Sequence, residues 1–373
     1  MKTERLISLD VFRGLTVALM ILVNNPGSWG AIHPPLRHAQ WHGWTPTDLV
    51  FPFFLFAVGM SLSLSFARRL ADGAARRLLV QKVLSRSVII FIIGLLLNGF
   101  PYNELDSLRV WGVLQRIAVC YLIAGLTVVL VRTNTRRLAV LLGLLMAYEL
   151  LMRLPLVAGW GHGSFEVADN FARWVDLAWP GTDHVYQGGT MPFDPEGLVP
   201  ALAAAAGTLV GFLVGEYLRL AVSLPRHLVV LAITGSVLAG VGLVGGLFEP
   251  INKQLWTVSY TVLTSGLAML TMAICGWLID VRRWRRWANP AIVFGSNALF
   301  AFVGSGLLVR VLLLIKVTNT EGTRVGLNSA IYTGVFRPLA GPLNGSLLYA
   351  LATVILWWAI LWFLYRRRIF IKI

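Results

Sequence analysis

The sequence predicts an all-α integral membrane protein with about ten membrane-spanning helices. Of its 373 residues, 57% are hydrophobic and only 13% are charged, and the mean hydropathy is +0.73. A typical soluble protein is about one quarter charged. These values exclude a water-soluble globular protein, a disordered chain and a nucleic-acid-binding domain. We therefore interpret residues 1–373 as a single transmembrane domain surrounded by a lipid bilayer.

Ten apolar stretches are long enough to cross a bilayer, because roughly 20 apolar residues cover its ~30 Å core. They comprise approximately residues 6–23, 49–66, 84–99, 110–131, 137–157, 197–218, 227–247, 257–279, 290–315 and 346–365. The third stretch is short, and Gly and Asn residues in the ninth indicate a break. Since the first stretch follows the N-terminal residues directly, we expect no cleavable signal peptide.

The basic residues predict the orientation of these helices. Most of the 32 Lys and Arg residues fall in segments that share one side of the membrane. Examples are Arg282–Arg286 and Arg366–Arg368. Cytoplasmic loops carry an excess of Lys and Arg, so we predict that both termini are cytoplasmic. The net charge of +15 is then a signal of topology rather than of a nucleic-acid partner.

The longest segments on the outer side are 24–48, 158–196 and 316–345. Acidic residues are frequent there and would attract a cationic substrate, although they could also simply be excluded from the basic inner face. Five of the six histidines fall on this side, and His33, His38 and His42 lie in one loop. A polar loop of this kind is costly near lipid unless protein surrounds it.

His38, His42 and Asp48 are the candidates for chemistry in this loop. An imidazole titrates near neutral pH and can act as a general base, while Asp48 could fix its tautomer and an Asn side chain could stabilise an oxyanion. The alternative is that these histidines only cap helix ends and bond to loop backbone. Two histidines without further nearby ligands do not make a metal site, so we expect no metal.

Charged and polar residues inside the predicted helices form a second group of candidates. Asp10 and Arg13 are three residues apart and share a helical face, and Arg116 lies in the outer half of the fourth stretch. Intramembrane charges are costly and usually functional, but each could instead form an internal ion pair that fixes helix packing. Asn297 lies inside the ninth stretch.

Further polar residues precede the later stretches on the outer side. The segment with Asp194 and Glu196 predicts a turn followed by the start of a helix, where acidic residues complement the helix dipole. No such structural explanation accounts for the polar pair Asn252 and Lys253. Trp41 and other outer tryptophans could stack on sugar rings or could belong to the interfacial aromatic belt.

These residues fall in short motifs that follow one another along the chain. The motifs are Ser8-Leu9-Asp10-Val11-Phe12-Arg13-Gly14-Leu15, Val23-Asn24, His38-Ala39-Gln40-Trp41, Asp48-Leu49-Val50-Phe51-Pro52, Leu114-Gln115-Arg116, Asp194-Pro195-Glu196-Gly197 and Asn252-Lys253-Gln254-Leu255-Trp256. Together they closely resemble the heparan-α-glucosaminide N-acetyltransferase family, and most closely its bacterial branch. The resemblance spans nearly the whole chain. Each motif alone is weak, but the ordered set is specific.

The resemblance implies an enzyme that takes acetyl from cytosolic acetyl-CoA and transfers it to the amine of a glucosamine-type sugar across the membrane. It implies a multi-pass location in the bacterial cytoplasmic membrane and a homodimer. His38 matches the active-site histidine of the family, and Asn24 matches its asparagine. His42 stands where the lysosomal enzymes tend to have Asn, so a second histidine competes for the role.

From these considerations we assign catalytic roles to His38, Asn24, Asp48 and His42, with His38 as base or acetyl acceptor and Asn24 as oxyanion donor. We assign contacts with acetyl-CoA to Asp10, Arg13, Arg116 and Asn297, and contacts with the sugar or glycan acceptor to Asp194, Glu196, Asn252, Lys253 and Trp41. Alternative functions are an amino-sugar transporter, an O-acetyltransferase of a cell-envelope glycan, and a scaffold subunit without activity.

Overall fold

The computed structural model describes residues 6–71, 75–102, 104–318 and 322–371, and these residues are predominantly α-helical. The α-helices, numbered in chain order, are α1 Ile7–Asn24, α2 Val50–Ala71, α3 Arg76–Gly99, α4 Val113–Leu130, α5 Asn134–Arg153, α6 Phe171–Ala178, α7 Leu198–Arg219, α8 Leu224–Gly245, α9 Val258–Gly276, α10 Asn289–Ser296, α11 Ala298–Leu314, α12 Leu327–Ile331 and α13 Arg337–Arg366. Two short strands, β1 Lys316–Thr318 and β2 Arg324–Gly326, pair antiparallel. The prediction of an all-α membrane bundle is confirmed.

Eight helical segments within the described residues are long and apolar enough to cross a membrane. The pair α10 and α11 is bent by 73° and adds a ninth if it counts as one span, which confirms the break predicted in the ninth stretch. The fifth stretch also forms a helix, α5, but its charged residues make it too polar to count among these eight segments. Arg136, Arg137, Glu149 and Arg153 are those residues.

Close packing of α2 against α7 forms the centre of the bundle. A Cβ atom placed on Gly59 would overlap the backbone of Thr208, and one placed on Gly211 would overlap the backbone of Phe56. Only glycine lets the two backbones approach this closely, which is the usual role of small residues between membrane helices. Helix α2 begins directly after Asp48, so this packing fixes one end of the candidate site.

The last outer segment differs from the prediction of a loop over 316–345. Helical structure resumes at Leu327, and a π-helical turn, Tyr332–Phe336, leads into α13. Polar residues and the kink at Gly341, next to Pro342, hide this helix from a search for apolar stretches. The final helix therefore begins well before residue 346.

Three loop segments, 25–49, 154–197 and 246–257, cover one end of the bundle, and we call them the cap. The backbone N–H of Gly43 donates to the Ile251 carbonyl at 2.7 Å. The Trp41 indole N–H donates to the Phe165 carbonyl at 2.9 Å. These bonds join all three segments, so residues far apart in sequence meet at this end.

Candidate active site

Asp48 is held rigidly by the turn that starts α2. Pro46 opens a 3₁₀ helix, Pro46–Leu49, and Thr45 caps it. The Asp48 carboxylate accepts hydrogen bonds from the Thr45 N–H at 3.0 Å and from the Ala39 N–H at 3.1 Å. Its side chain is only 1% exposed. A buried carboxylate with this many backbone donors has a fixed position and stays available to an imidazole.

His38 bonds directly to this carboxylate. Its Nδ1 lies 2.6 Å from Oδ1 of Asp48, while 40% of the His38 side chain is exposed. A carboxylate on Nδ1 holds the proton there and leaves Nε2 as the basic nitrogen. The predicted pairing of Asp48 with a histidine of this loop is therefore present, and the histidine is His38.

Lys253 completes this group from the third cap segment. Its Nζ lies 2.9 Å from His38 Nδ1, 3.4 Å from His38 Nε2 and 3.3 Å from Asp48 Oδ1. Because Nδ1 already donates to Asp48, the ammonium donates to the carboxylate and places its charge beside the ring. Burial lowers the pKa of Lys253, and the Asp48 carboxylate opposes that change.

His42 has a different environment from His38. Its Nε2 lies 3.1 Å from a Glu166 carboxylate that is 71% exposed, and its Nδ1 accepts a bond from the Asn252 amide at 3.3 Å. Both ring nitrogens are thus engaged. Of the two competing histidines, only His38 bonds to a buried carboxylate.

Asn252 and Trp41 serve the structure of the cap. The side-chain oxygen of Asn252, which is fully buried, accepts the Leu255 N–H at 2.8 Å and so shapes the turn that presents Lys253. The Trp41 indole bonds to the cap backbone. Their assignment to the acceptor stays a prediction.

Arg109 organises the acidic residues that precede α7. Its guanidinium contacts both oxygens of Asp194 at 2.7 and 2.8 Å, and Glu196 at 2.5 Å. Burial alone would lower the pKa of Arg109, but the two carboxylates outweigh it and raise the pKa. Sequence reasoning missed Arg109, although a cation among outer carboxylates was a usable signal.

A third carboxyl group, Asp176, lies next to this cluster. Its side chain is fully buried, and it accepts the backbone N–H of Asp194 at 3.1 Å. Burial raises the pKa of Asp176 to about 8, with a further contribution from the charge of Asp194. Sequence reasoning did not single out this residue.

Arg116 connects several motifs from inside the bundle. It is 1% exposed, donates to the Gly197 carbonyl at 3.1 Å and places its guanidinium 5.0 Å from the Trp256 ring centre. It therefore holds the start of α7 and the turn after Lys253 against α4. Its predicted contact with acetyl-CoA has no support from these contacts and stays a prediction.

Asp10, Arg13 and Asn297 lie away from His38. Asp10 and Arg13 form the expected ion pair at 3.1 Å, and Arg13 also donates to the Gly295 carbonyl at 2.5 Å. Since an α-helix rises ~1.5 Å per residue, this pair is roughly 15–20 Å along α1 from Asn24. Asn297 bonds to the backbone of Ile369 and Ile371 at 3.1 and 2.8 Å. Their roles toward acetyl-CoA remain predictions.

Asn24 lines a cavity of about 250 Å³ at the cap end, between α1, α3, α4 and α11. His38 does not line this cavity. If His38 and Asn24 act on the same carbonyl group, that group must lie between the His38 imidazole and the cavity. Among the described residues, no three His, Cys, Asp or Glu side chains form a group that could hold a metal ion.

Known proteins resemble this chain in sequence. Residues 5–179 match a family model described as heparan-α-glucosaminide N-acetyltransferase, catalytic. The human enzyme of that name is 27% identical over 355 residues, which cover 80% of this chain and 52% of the relative. The chain therefore resembles the heparan-α-glucosaminide N-acetyltransferases over much of its length. The mouse enzyme is 26% identical, with 82% and 54% covered.

The chain spans about half the length of these relatives of the heparan-α-glucosaminide N-acetyltransferase family. The match to the family model includes His38, Asp48 and Asn24. His38 and Arg109 lie inside the matched region. Their partners lie beyond its end, and these are Lys253 for His38 and Asp194 and Glu196 for Arg109. The contacts described above thus tie the matched part of the chain to the remainder.

Proposed function

We propose that this protein is a transmembrane acetyltransferase. It moves acetyl from cytosolic acetyl-CoA to the amine of a glucosamine-type sugar at the cap end of the bundle. The match to the family model supports the reaction class, and the names of the relatives support the acceptor class. The observation that carries the proposal is the 2.6 Å contact between His38 and the buried carboxylate of Asp48.

His38 Nε2 acts as the base in this proposal. It removes a proton from the sugar amine while the amine nitrogen bonds to the thioester carbonyl carbon, and the C–S bond then breaks. The imidazolium returns the proton to the leaving thiolate, so the acceptor becomes an amide and coenzyme A leaves as a thiol. In the two-step variant, Nε2 first takes the acetyl group itself and the amine then displaces it.

Charge develops on the carbonyl oxygen in either route, and two side chains are proposed to stabilise it. The Lys253 ammonium is 3.4 Å from Nε2, next to the position of the reacting carbon. Asn24 is proposed as a hydrogen-bond donor from the cavity side. Fixed donors and charges in a site with little water stabilise an oxyanion more than they would in bulk water.

The orientation follows from the basic residues. The turn between α9 and α10 carries exposed Arg282, Arg283 and Arg286 at the end of the bundle opposite the cap. We propose that this end faces the cytoplasm of a bacterial cell, and that these arginines and Arg13 attract the phosphates of acetyl-CoA. Accessibility labelling of single cysteines in intact cells tests the orientation.

The acceptor is proposed to bind among the cap residues. Asp194, Glu196 and Trp41 would contact the sugar. The acidic residues would attract an amino sugar in its ammonium form, which then loses one proton to solvent before the free amine attacks. A homodimer is expected from the family, and light scattering of the purified protein tests it.

The experiment that tests the function is transfer of labelled acetyl from acetyl-CoA to glucosamine by detergent-purified protein. His38→Ala should abolish transfer, whereas His42→Ala should retain it. If only His42→Ala lost acetyl transfer, the protein would still be an acetyltransferase, but its base would be His42 instead of His38. Absence of transfer by folded wild type, to amine and hydroxyl acceptors alike, would refute the proposal, and flux into sealed vesicles would then indicate a transporter.

A further inference from the structure

The cavity beside Asn24 has a charge pattern that the proposed acetyl transfer does not use. It is lined by the end of α1, the last turns of α3, the first turn of α4 and the second half of α11. Two arginines, Arg109 and Arg310, line it together with the amides of Asn24, Asn98 and Gln115. None of the described residues that line it carries a carboxylate.

The two arginines differ in how their charges are balanced. Arg109 is neutralised by Asp194 and Glu196. The half-buried Arg310 bonds only to the Gly306 carbonyl of its own helix, at 3.3 Å, among the contacts of the described residues. Within the described part of the chain, the cavity therefore holds one cation, Arg310, without a counter-charge.

The start of α4 adds hydrogen-bond donors to the same space. Gly112 precedes the helix without a side-chain cap, so the N–H groups of Val113 and Leu114 have no partner within the helix. Both residues line the cavity. A helix N-terminus carries a partial positive charge and favours anions.

Gln115 is an independent indication of a ligand. It lines the cavity, is only 1% exposed, and its Nε2 has no hydrogen-bond partner among the described residues. An unpartnered buried amide is costly, because a buried polar group normally finds a partner. A bound acceptor atom would remove that cost.

We propose that this cavity binds one oxyanion group, a sulfate, phosphate or carboxylate, between Arg310, Gln115 and the first turn of α4. An oxyanion supplies both the missing counter-charge and the missing acceptors. The group could be carried by a sugar from the aqueous side or by a lipid headgroup, since Arg310 lies one turn from the end of α11. This site does not depend on acetyl transfer, so binding alone can test it.

The test measures binding by the detergent-purified full chain. One arm titrates glucosamine 6-sulfate against glucosamine and follows the thermal midpoint. A second arm compares nanodiscs of phosphatidylcholine with and without phosphatidylglycerol. Arg310→Gln and Gln115→Glu are the test variants, and Arg324→Gln, which removes an exposed cation near the same end of α11, is the matched control.

Either sulfated sugar or anionic lipid should stabilise the wild type, and the effective arm identifies the source. Arg310→Gln should weaken that binding about tenfold or more, the expected loss for a charged hydrogen bond. Gln115→Glu should abolish it by repulsion, and Arg324→Gln should leave it unchanged. Equal responses of wild type and both test variants in both arms would overturn the proposal, whether or not acetyl transfer is observed.

Discussion

Lys253 and Asp48 form an ion pair of 3.3 Å beneath the imidazole of His38. The pair joins the turn before α9 to the turn before α2, and His38 contacts both members. The carboxylate can therefore hold the imidazole in one tautomer while the ammonium lies near the reacting nitrogen. This arrangement leads to the first two predictions.

Replacing Lys253 by Met should lower kcat by about 10- to 100-fold, because the variant keeps the side-chain length but removes the charge that we propose to stabilise the oxyanion. Steady-state acetyl transfer measures the change. Lys316→Met, which removes an exposed lysine from β1, should match the wild type. An unchanged kcat in Lys253→Met would remove Lys253 from the reaction.

Asp48→Asn should reduce kcat by roughly 10³-fold or more, by comparison with about 10⁴ for the equivalent change in a serine protease triad. The amide keeps the volume of the carboxylate but no longer holds the proton on Nδ1 of His38. Glu166→Gln makes the same change beside His42 and should retain activity. If the two variants lost activity equally, the distinction between the histidines would fail.

Asn24→Ala should slow turnover by about 100-fold or more, the usual cost of losing one oxyanion donor, which is ~2.7–4 kcal/mol. The thermal midpoint should change little, because the Asn24 side chain is exposed and makes no described hydrogen bond. Asn25→Ala is the useful contrast, since Asn25 is buried and bonds to the Ile21 carbonyl. It should lower stability instead. Wild-type turnover in Asn24→Ala would contradict the role.

Asp176 predicts a pH dependence of stability. Its pKa rises from the ordinary 3.8 to about 8 on folding, so the folded protein holds the extra proton between these values. The free energy of unfolding should therefore fall as pH rises through this window, by up to about 1.4 kcal/mol per pH unit. Asp176→Asn cannot ionise and still accepts the Asp194 N–H.

Thermal unfolding of the purified protein between pH 5 and pH 9 measures this effect. Asp176→Asn should melt above the wild type at pH 9, and this difference should be much smaller at pH 5, where only the first part of the window has been crossed. Asp169→Asn, a change at an exposed carboxylate of the same cap segment, should follow the wild type throughout. Parallel curves for Asp176→Asn and wild type would show that Asp176 does not titrate in this range.

Local sequence information was sufficient for most of the helices and for a contact between Asp48 and a histidine of its loop. Apolar stretches report lipid exposure directly, and only a short loop separates His38 from Asp48. The partners of Lys253 and Arg109 could not be predicted, because each lies in a distant segment that only the cap brings close. Hydropathy also cannot show that Asn24 faces a cavity that His38 does not line.

Asn297 has a consequence for how the protein is made. It sits at the 73° break between α10 and α11, and its amide bonds to the backbone of Ile369 and Ile371. Those partners do not exist until some seventy further residues have been synthesised. The hydrogen bonds of Asn297 at the break can therefore form only after α13 has been made. Chains truncated before Ile369 should leave the break more sensitive to protease than the full chain does.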